Sequence, residues 1–188
     1  MLPLPDSFVI FDTEYTAWEG SWQRGWNQPG EYKEIVQIGA LIADGKTLEE
    51  RDTFLVLVKP LKNPLLSEYF KDLTGISQES LEREGVNLEE ALSRFRTWIG
   101  ERDCYSFGDD SDVLEENCEL IDIPFPFPEG RFYDVRDVFK AAGTDVSHLS
   151  SGTVTRAFGK EPERRAHDAL ADARTILDGL RELARLIK

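Results

Sequence analysis

Residues 8–16, FVIFDTEYT, join a run of four apolar side chains directly to two carboxylates. A continuous apolar run is typical of a strand that is covered on both faces of its sheet. Residues two apart on a strand point to the same face, so Asp12 and Glu14 should converge at the end of a buried strand. Open α/β sheets bind their ligands at such strand ends.

The two carboxylates suggest a metal site. Like charges this close repel each other unless a positive centre lies between them. Carboxylate oxygens are hard ligands that favour Mg²⁺ or Mn²⁺. The pattern around Asp12 and Glu14 therefore indicates a divalent cation, although it also fits one carboxylate that caps the following loop and one that is solvated.

The rest of the chain alternates between strand and helix patterns, with a loop predicted over residues 16–31. A short turn separates the second and third strands, and the first three strands are expected to form an antiparallel meander. The order of elements predicts one α/β domain over residues 1–188, with two further strands added in parallel. Strands are predicted at 8–11, 34–43, 53–58, 104–107 and 132–135, and helices at 66–73, 87–99, 111–120, 136–142, 151–158 and 168–187.

A histidine and an aspartate occur close together in AHDALAD, residues 166–172. Positions five apart on a helix lie roughly 140° apart, so His167 and Asp172 can face one site only if His167 precedes the helix. An acidic residue such as Asp168 is favoured in a first helical turn. His167 would suit a general base, because an unperturbed imidazole has a pKa near ~6.5. The alternative is a surface histidine beside a helix N-terminus.

The segment GDDSDVL, residues 108–114, offers three further aspartates at the start of a predicted helix. From Asp110, apolar residues follow at the third and fourth positions, where a helix buries its stripe. From Asp112, the same offsets are occupied by glutamates, which do not suit a core. Asp110 is therefore the predicted ligand, and Asp109 and Asp112 are predicted to be an N-cap and a solvated residue.

In this order, FDTEYT, GDDSDVL and HDALAD resemble the three motifs of the DEDDh group of 3′→5′ exonucleases. EIVQIGALIAD resembles the second strand of that group. LVKPLKNPLLSEYFKDLTGISQ resembles a segment of the branch that contains the KinA-pathway inhibitor of bacilli and the histone-mRNA and small-RNA trimming exoribonucleases. The resemblance covers residues 8–172 and implies an RNase H-like fold, a mixed five-stranded sheet with three antiparallel and two parallel strands flanked by helices.

The resemblance also implies a function. Two Mg²⁺ ions, for which Mn²⁺ can substitute, would be held by Asp12, Glu14, Asp110 and Asp172, and His167 would help to activate a water. The substrate would be the 3′ end of single-stranded RNA or DNA, with RNA expected in preference to DNA. The products would be nucleoside 5′-monophosphates.

Other residues are predicted to contact the substrate. Leu73 and Thr74 resemble the contact that the family makes with the terminal nucleotide, and Thr13 lies between the first two carboxylates. Trp18 is the first of three tryptophans spaced four residues apart in the loop at 16–31. Aromatic faces can stack on unpaired bases. Alternatively, these tryptophans pack the loop onto the domain or form a homodimer contact.

The net charge of −14 is unusual for a nucleic-acid enzyme. Broad neutralisation of phosphates requires a basic protein. This chain is therefore expected to hold a polyanion through metal ions and a small cationic patch. Two cysteines without metal-ligand spacing, no recognisable signal peptide and no apolar run of membrane-spanning length predict a cytoplasmic protein without membrane association.

Two other classes of protein fit parts of the pattern. A haloacid-dehalogenase-type phosphatase would use Asp12 as a nucleophile. However, Glu14 reaches farther than the short acid that class uses, and HDALAD would be unexplained. A non-catalytic nucleic-acid-binding module would have no reason to keep five mutually repelling or titrating groups.

Overall fold

The computed structural model describes residues 2–187, so Met1 and Lys188 lie outside the described part of the chain. Its strands form one mixed sheet whose first three members are antiparallel, and the last two are parallel to the first. The predicted α/β arrangement is confirmed. The strands are β1 (Ser7–Tyr15), β2 (Ile35–Asp44), β3 (Glu50–Leu57), β4 (Cys104–Ser106) and β5 (Phe132–Asp134), in the spatial order β3-β2-β1-β4-β5.

Helices flank the sheet. Two of them, Ser21–Arg24 and Gln78–Glu84, lie where no helix is predicted, and the predicted helix at 151–158 is a 3-10 helix. No helix within residues 2–187 is both long and apolar enough to cross a membrane. The α-helices are α1 (Ser21–Arg24), α2 (Glu68–Thr74), α3 (Gln78–Glu84), α4 (Leu88–Ile99), α5 (Asp110–Leu120), α6 (Arg136–Ala141) and α7 (Ala169–Leu186), and the 3-10 helix covers Ser151–Phe158.

Strand β1 contributes to two hydrophobic cores. Val9 and Phe11 belong to the core that contains residues of α4 and α5, and Phe8 and Ile10 belong to the core that contains residues of α7. All four side chains are fully buried. Because alternate residues of a strand point to opposite faces, a strand covered on both sides must be apolar without interruption. This explains the run that precedes Asp12.

Helix α7 lies unusually close to the sheet at Gly39, the β2 residue that pairs with Asp12. A Cβ atom at Gly39 would lie 2.2 Å from the backbone nitrogen of Leu170. Side chains do not tolerate such a distance, and the neighbour here is backbone that cannot rotate away. Glycine at this position therefore lets the first turn of α7 approach the end of β1.

Substitution of Gly39 by alanine is expected to lower the free energy of unfolding by about 1–3 kcal/mol, the usual cost of overpacking a core. It should also reduce any activity that needs Asp172, because α7 must shift. Urea denaturation measures the first effect. Glu115→Ala is the control, because this exposed helical position should change the free energy of unfolding by less than about 0.5 kcal/mol. Unchanged stability of Gly39→Ala would contradict the close contact.

Candidate active site

Four buried carboxylates from three elements meet at a cleft of about 390 Å³. Asp12 and Glu14 lie near the carboxyl end of β1, Asp110 is the first residue of α5, and Asp172 lies in the first turn of α7. Their side chains are only 3% to 9% exposed. His167 lines the same cleft but is exposed. The structure thus brings together all five residues of the predicted catalytic set.

Asp110 is held in place by Thr13. Its Oδ1 atom accepts hydrogen bonds from the backbone nitrogen of Thr13 at 3.0 Å and from the Thr13 hydroxyl at 2.6 Å. Thr13 also lines the cleft, and its hydroxyl group orients the Asp110 carboxylate. Asp109 occupies the N-cap position without a capping hydrogen bond from its side chain, and Asp112 is exposed. Of the three candidate aspartates, Asp110 is the buried one.

His167 and Asp172 have the arrangement that the sequence requires if both are to face one site. His167 lies before α7 in the left-handed backbone region, with φ at 66°. Its backbone nitrogen donates to Asp172 Oδ2 at 3.1 Å, and Asp168 caps the helix by accepting from Ala171 at 2.8 Å. Ligand atoms of Glu14, His167 and Asp172 lie within 4.8 Å of one another.

Three residues that support Asp172 were not predicted. Gln37, on β2, accepts a hydrogen bond from the backbone nitrogen of Ala169 at 2.9 Å and so fixes the start of α7. Ser151 donates to Asp172 Oδ2 at 3.5 Å. A Cβ atom at Gly152 would lie 2.7 Å from Asp172 Oδ1, so only glycine leaves that oxygen its space. For Gln37 the sequence held one signal, a polar residue inside the apolar run EIVQIGALIA.

The environment of the cleft opposes ionisation of the carboxylates. Burial, followed by repulsion from the neighbouring acids, raises the pKa of Glu14 to about 9 and the pKa of Asp12 well above its usual range. Burial raises the pKa of Asp172 to about 7. It raises the pKa of Asp110 only to about 6, because the hydrogen bonds from Thr13 favour the charged form. Without a positive centre, the site retains protons near neutral pH.

The donor set fits a divalent cation. Asp172 Oδ1 is buried and, among the described residues, has no hydrogen-bond partner. Buried polar atoms in native proteins almost always have one. Several carboxylate oxygens around one point are the ligands that hard cations prefer. A bound cation would supply the missing partner of Asp172 and would stabilise the charged forms of all four acids.

Comparison with known proteins identifies the family. Residues 9–180 match the family described as exonuclease (RNase_T), which is nearly the whole chain. The chain belongs to the exonuclease family. Because this match includes HDALAD, it accounts for the motif that the phosphatase alternative leaves unexplained, and that alternative is wrong.

Individual exonuclease relatives agree with this assignment. The chain is 26% identical over 175 residues to the probable 3'-5' exonuclease KapD of Bacillus subtilis, a match that covers 90% of this chain and 80% of that protein. It is 27% identical over 185 residues to human 3'-5' exoribonuclease 1, covering 91% of this chain and 50% of that protein. A third match, 32% over 94 residues, covers 50% of this chain and only 13% of human ERI1 exoribonuclease 2. The chain therefore spans half or less of the human relatives.

Solved exonuclease structures share the fold. The nuclease domain of 3'hExo, described as a DEDDh family member bound to rAMP, superposes with a TM-score of 0.79 at 24% identity over 97% of this chain and 92% of that chain. Cell-death related nuclease 4 gives 0.78 at 19% identity over 96% and 64% of the two chains. The predicted resemblance and the RNase H-like fold are confirmed.

Some of the residues that are predicted to contact the substrate line the cleft, and others do not. Leu73, at the end of α2, lines the cleft. Thr74 does not: its hydroxyl donates to the carbonyl of Phe70 at 2.9 Å and accepts from the backbone nitrogen of Ile76, so it closes the end of its helix. Of the loop tryptophans, Trp22 and Trp26 line the cleft, whereas Trp18 is not among the described residues that do.

Proposed function

We propose that this chain is a metal-dependent 3′→5′ exonuclease that releases nucleoside 5′-monophosphates from single-stranded nucleic acid, and from RNA in preference to DNA. Residues 1–188 would act as one catalytic domain. The meeting of four buried carboxylates, drawn from three distant parts of the chain, carries this proposal. The names of its relatives, a probable 3'-5' exonuclease and a 3'-5' exoribonuclease, support the direction of degradation.

Asp12, Glu14, Asp110 and Asp172 would hold two divalent cations, Mg²⁺ or its substitute Mn²⁺. When bound, two such ions neutralise phosphate charge and stabilise the attacking and leaving oxygens of an in-line displacement. This chemistry would also reconcile the net charge of −14 with a polyanionic substrate, because bound ions would supply the positive charge that the protein itself lacks.

His167 would accept the proton of the attacking water. His167 lines the cleft and is exposed, so solvent can reach it. Partial burial and the nearby charge of Arg165 lower the pKa of His167. Both effects favour the neutral ring, which is the form that a general base requires. The hydrogen bond from its backbone nitrogen to Asp172 fixes the residue beside the carboxylates.

One digestion series tests the proposed activity. Single-stranded RNA and DNA of the same sequence, labelled at either the 5′ or the 3′ end, are incubated with Mg²⁺, Mn²⁺ or EDTA. The 5′-labelled strands should shorten stepwise, the 3′-labelled strands should release labelled mononucleotide at once, and EDTA should stop both reactions. Internal cuts would contradict an exonuclease. Strands that bind but stay intact with either ion would indicate a non-catalytic module.

His167→Ala is expected to lower kcat by about 10²–10⁴-fold, the usual contribution of a general base. Because the carboxylates remain, the calorimetric affinity for Mn²⁺ should stay within about threefold. His148→Ala is the matched control, because this second histidine is exposed and is not among the described residues that line the cleft. A large loss of Mn²⁺ affinity in His167→Ala would show instead that the imidazole is a metal ligand.

A further inference from the structure

An aromatic cluster of Tyr15, Trp22 and Trp26 lines one side of the cleft. The rings of Trp22 and Trp26 meet edge to face with centroids 5.6 Å apart, and Tyr15 meets Trp26 in the same way at 5.4 Å. Trp22 nevertheless remains 65% exposed. Packing of the loop accounts for Trp26, whose indole nitrogen donates to the carbonyl of Thr16, but it does not account for Trp22.

Hydrogen bonds and an ion pair fasten the loop that carries Trp22 to the rest of the domain. Arg24 pairs with Glu31 at 2.5 Å within the loop. At its far end, the buried carboxylate of Glu34 accepts three hydrogen bonds from the backbone of residues 61–63. Asn63 in turn donates to the carbonyl of Gly30 at 2.8 Å. Trp22 is thus presented to solvent by a preorganised support, which reduces the entropy lost when a ligand binds it.

A cation, Lys33, lies beside the aromatic cluster and lines the same cleft as the carboxylates. Lys33 Nζ is 5.1 Å from the ring centroid of Tyr15 and 5.8 Å from that of Trp26. Its carboxylate partner, Glu116, is 3.4 Å away and exposed. The other strong cation of the cleft, Arg136, is held more tightly, at 2.6 Å from Asp134. Lys33 is therefore the cation better placed to exchange its partner for a phosphate.

We propose that the aromatic cluster and Lys33 form a nucleotide subsite, in which an unpaired base of the substrate strand stacks on Trp22 and the adjoining phosphate pairs with Lys33. This subsite rests on the proposed function and adds to it a place where the strand is held. Stacking requires no particular base, because every base presents a flat π face. The subsite therefore favours single strands without reading their sequence.

Three substitutions of Trp22 test the stacking. Binding of a short single-stranded RNA is measured by fluorescence anisotropy in the Asp172→Asn background with Mg²⁺, so that the strand is not degraded. Trp22→Ala should weaken binding by about 5- to 100-fold, the range for loss of one base–aromatic stack. Trp22→Leu should resemble alanine, and Trp22→Phe should stay within about threefold of the parent. Tyr133→Ala, an exposed aromatic that is not among the described residues lining the cleft, is the control.

A set of strands that each contain one abasic nucleotide locates the stacked base. At the position that faces Trp22, loss of the base should weaken binding of the parent protein about as much as Trp22→Ala does. The two changes together should add little, because they remove the same contact. Additive losses at every position would overturn the proposal. Lys33→Gln should lower the slope of log Kd against log salt by about 0.7, the value for one phosphate contact on a single strand.

These experiments distinguish a failure of the proposed subsite from a failure of the proposed activity. If the parent enzyme degrades RNA and Trp22→Ala binds with unchanged affinity, the subsite is wrong and the activity stands. If no strand is degraded but binding still depends on Trp22, the activity is wrong and the subsite stands. If sedimentation shows a dimer that Trp22→Ala dissociates while RNA affinity is unchanged, the exposed ring is a subunit contact and the proposal is overturned.

Discussion

Asp110→Asn is expected to lower kcat on single-stranded RNA by about 10³-fold or more, whereas Asp112→Asn, two residues along the same helix, should leave kcat unchanged. Removing one carboxylate charge from the cation site costs several kcal/mol of transition-state stabilisation, and each 1.36 kcal/mol corresponds to tenfold in rate. Asp112 is exposed in the first turn of α5 and provides a matched control for charge. Initial rates of mononucleotide release measure the difference.

The fold of Asp110→Asn should survive for a specific reason. The two hydrogen bonds that Asp110 Oδ1 accepts from Thr13 can equally be accepted by an amide oxygen. Loss of a buried charge from an acidic cluster also relieves repulsion. The circular dichroism spectrum should therefore match that of the parent protein, and the Tm should equal or exceed the Tm of the parent. Near-normal turnover in Asp110→Asn would contradict its role as a ligand, and an unfolded variant would contradict the hydrogen-bonding explanation.

The metal-free protein is expected to lose stability as the pH rises from about 5 to 9. The pKa of Glu14 is raised to about 9 and that of Asp172 to about 7. The folded state therefore keeps protons that the unfolded state releases above its ordinary carboxyl pKa. Each such group therefore lowers the free energy of unfolding as the pH rises from its unfolded pKa towards its folded pKa. Tm measured in EDTA across this range tests the expectation.

Divalent cations should reverse this loss of stability at high pH. Binding to the ionised carboxylates stabilises the folded state and displaces protons, so the rise in Tm with Mn²⁺ should be larger at pH 8 than at pH 6. Glu14→Gln should weaken both the dependence on pH and the response to Mn²⁺. The control Glu115→Gln, at an exposed position of α5, should retain both. A Tm in EDTA that is independent of pH would contradict the raised pKa values.

The sheet and the first carboxylates could be predicted because their signals are local. A continuous apolar run specifies a doubly covered strand, and the alternation of a strand places Asp12 and Glu14 on one face. Helices α1 and α3 were missed because each is short, and α3 buries only Leu81, which gives no apolar stripe to recognise. The helical pattern at 151–158 was assigned correctly in position, but the chain there adopts the tighter 3-10 form.

The residues that hold the site in place could not be predicted, because their role depends on contacts between distant parts of the chain. Gln37 meets Ala169 across 132 residues of sequence, and Gly39 matters only because Leu170 approaches it. The spacing of the tryptophans does not indicate which ring faces the cleft: the sequence analysis predicts a contact from Trp18, whereas Trp22 and Trp26 line the cleft. The preference for Mg²⁺ and for RNA, the cytoplasmic location and a homodimer stay predictions.

The most direct test of the central claim, that the four carboxylates bind divalent cations, is a crystal structure. The crystal is grown with Mn²⁺, and the ions are located by anomalous scattering. If the four carboxylates hold two ions, the anomalous map should show two Mn²⁺ peaks in the cleft. Each peak should lie within coordination distance of oxygens from Asp12, Glu14, Asp110 or Asp172. Asp172 Oδ1, the buried oxygen without a hydrogen-bond partner, should be among the ligands. A cleft without an anomalous peak, at a Mn²⁺ concentration that supports hydrolysis, would contradict the account.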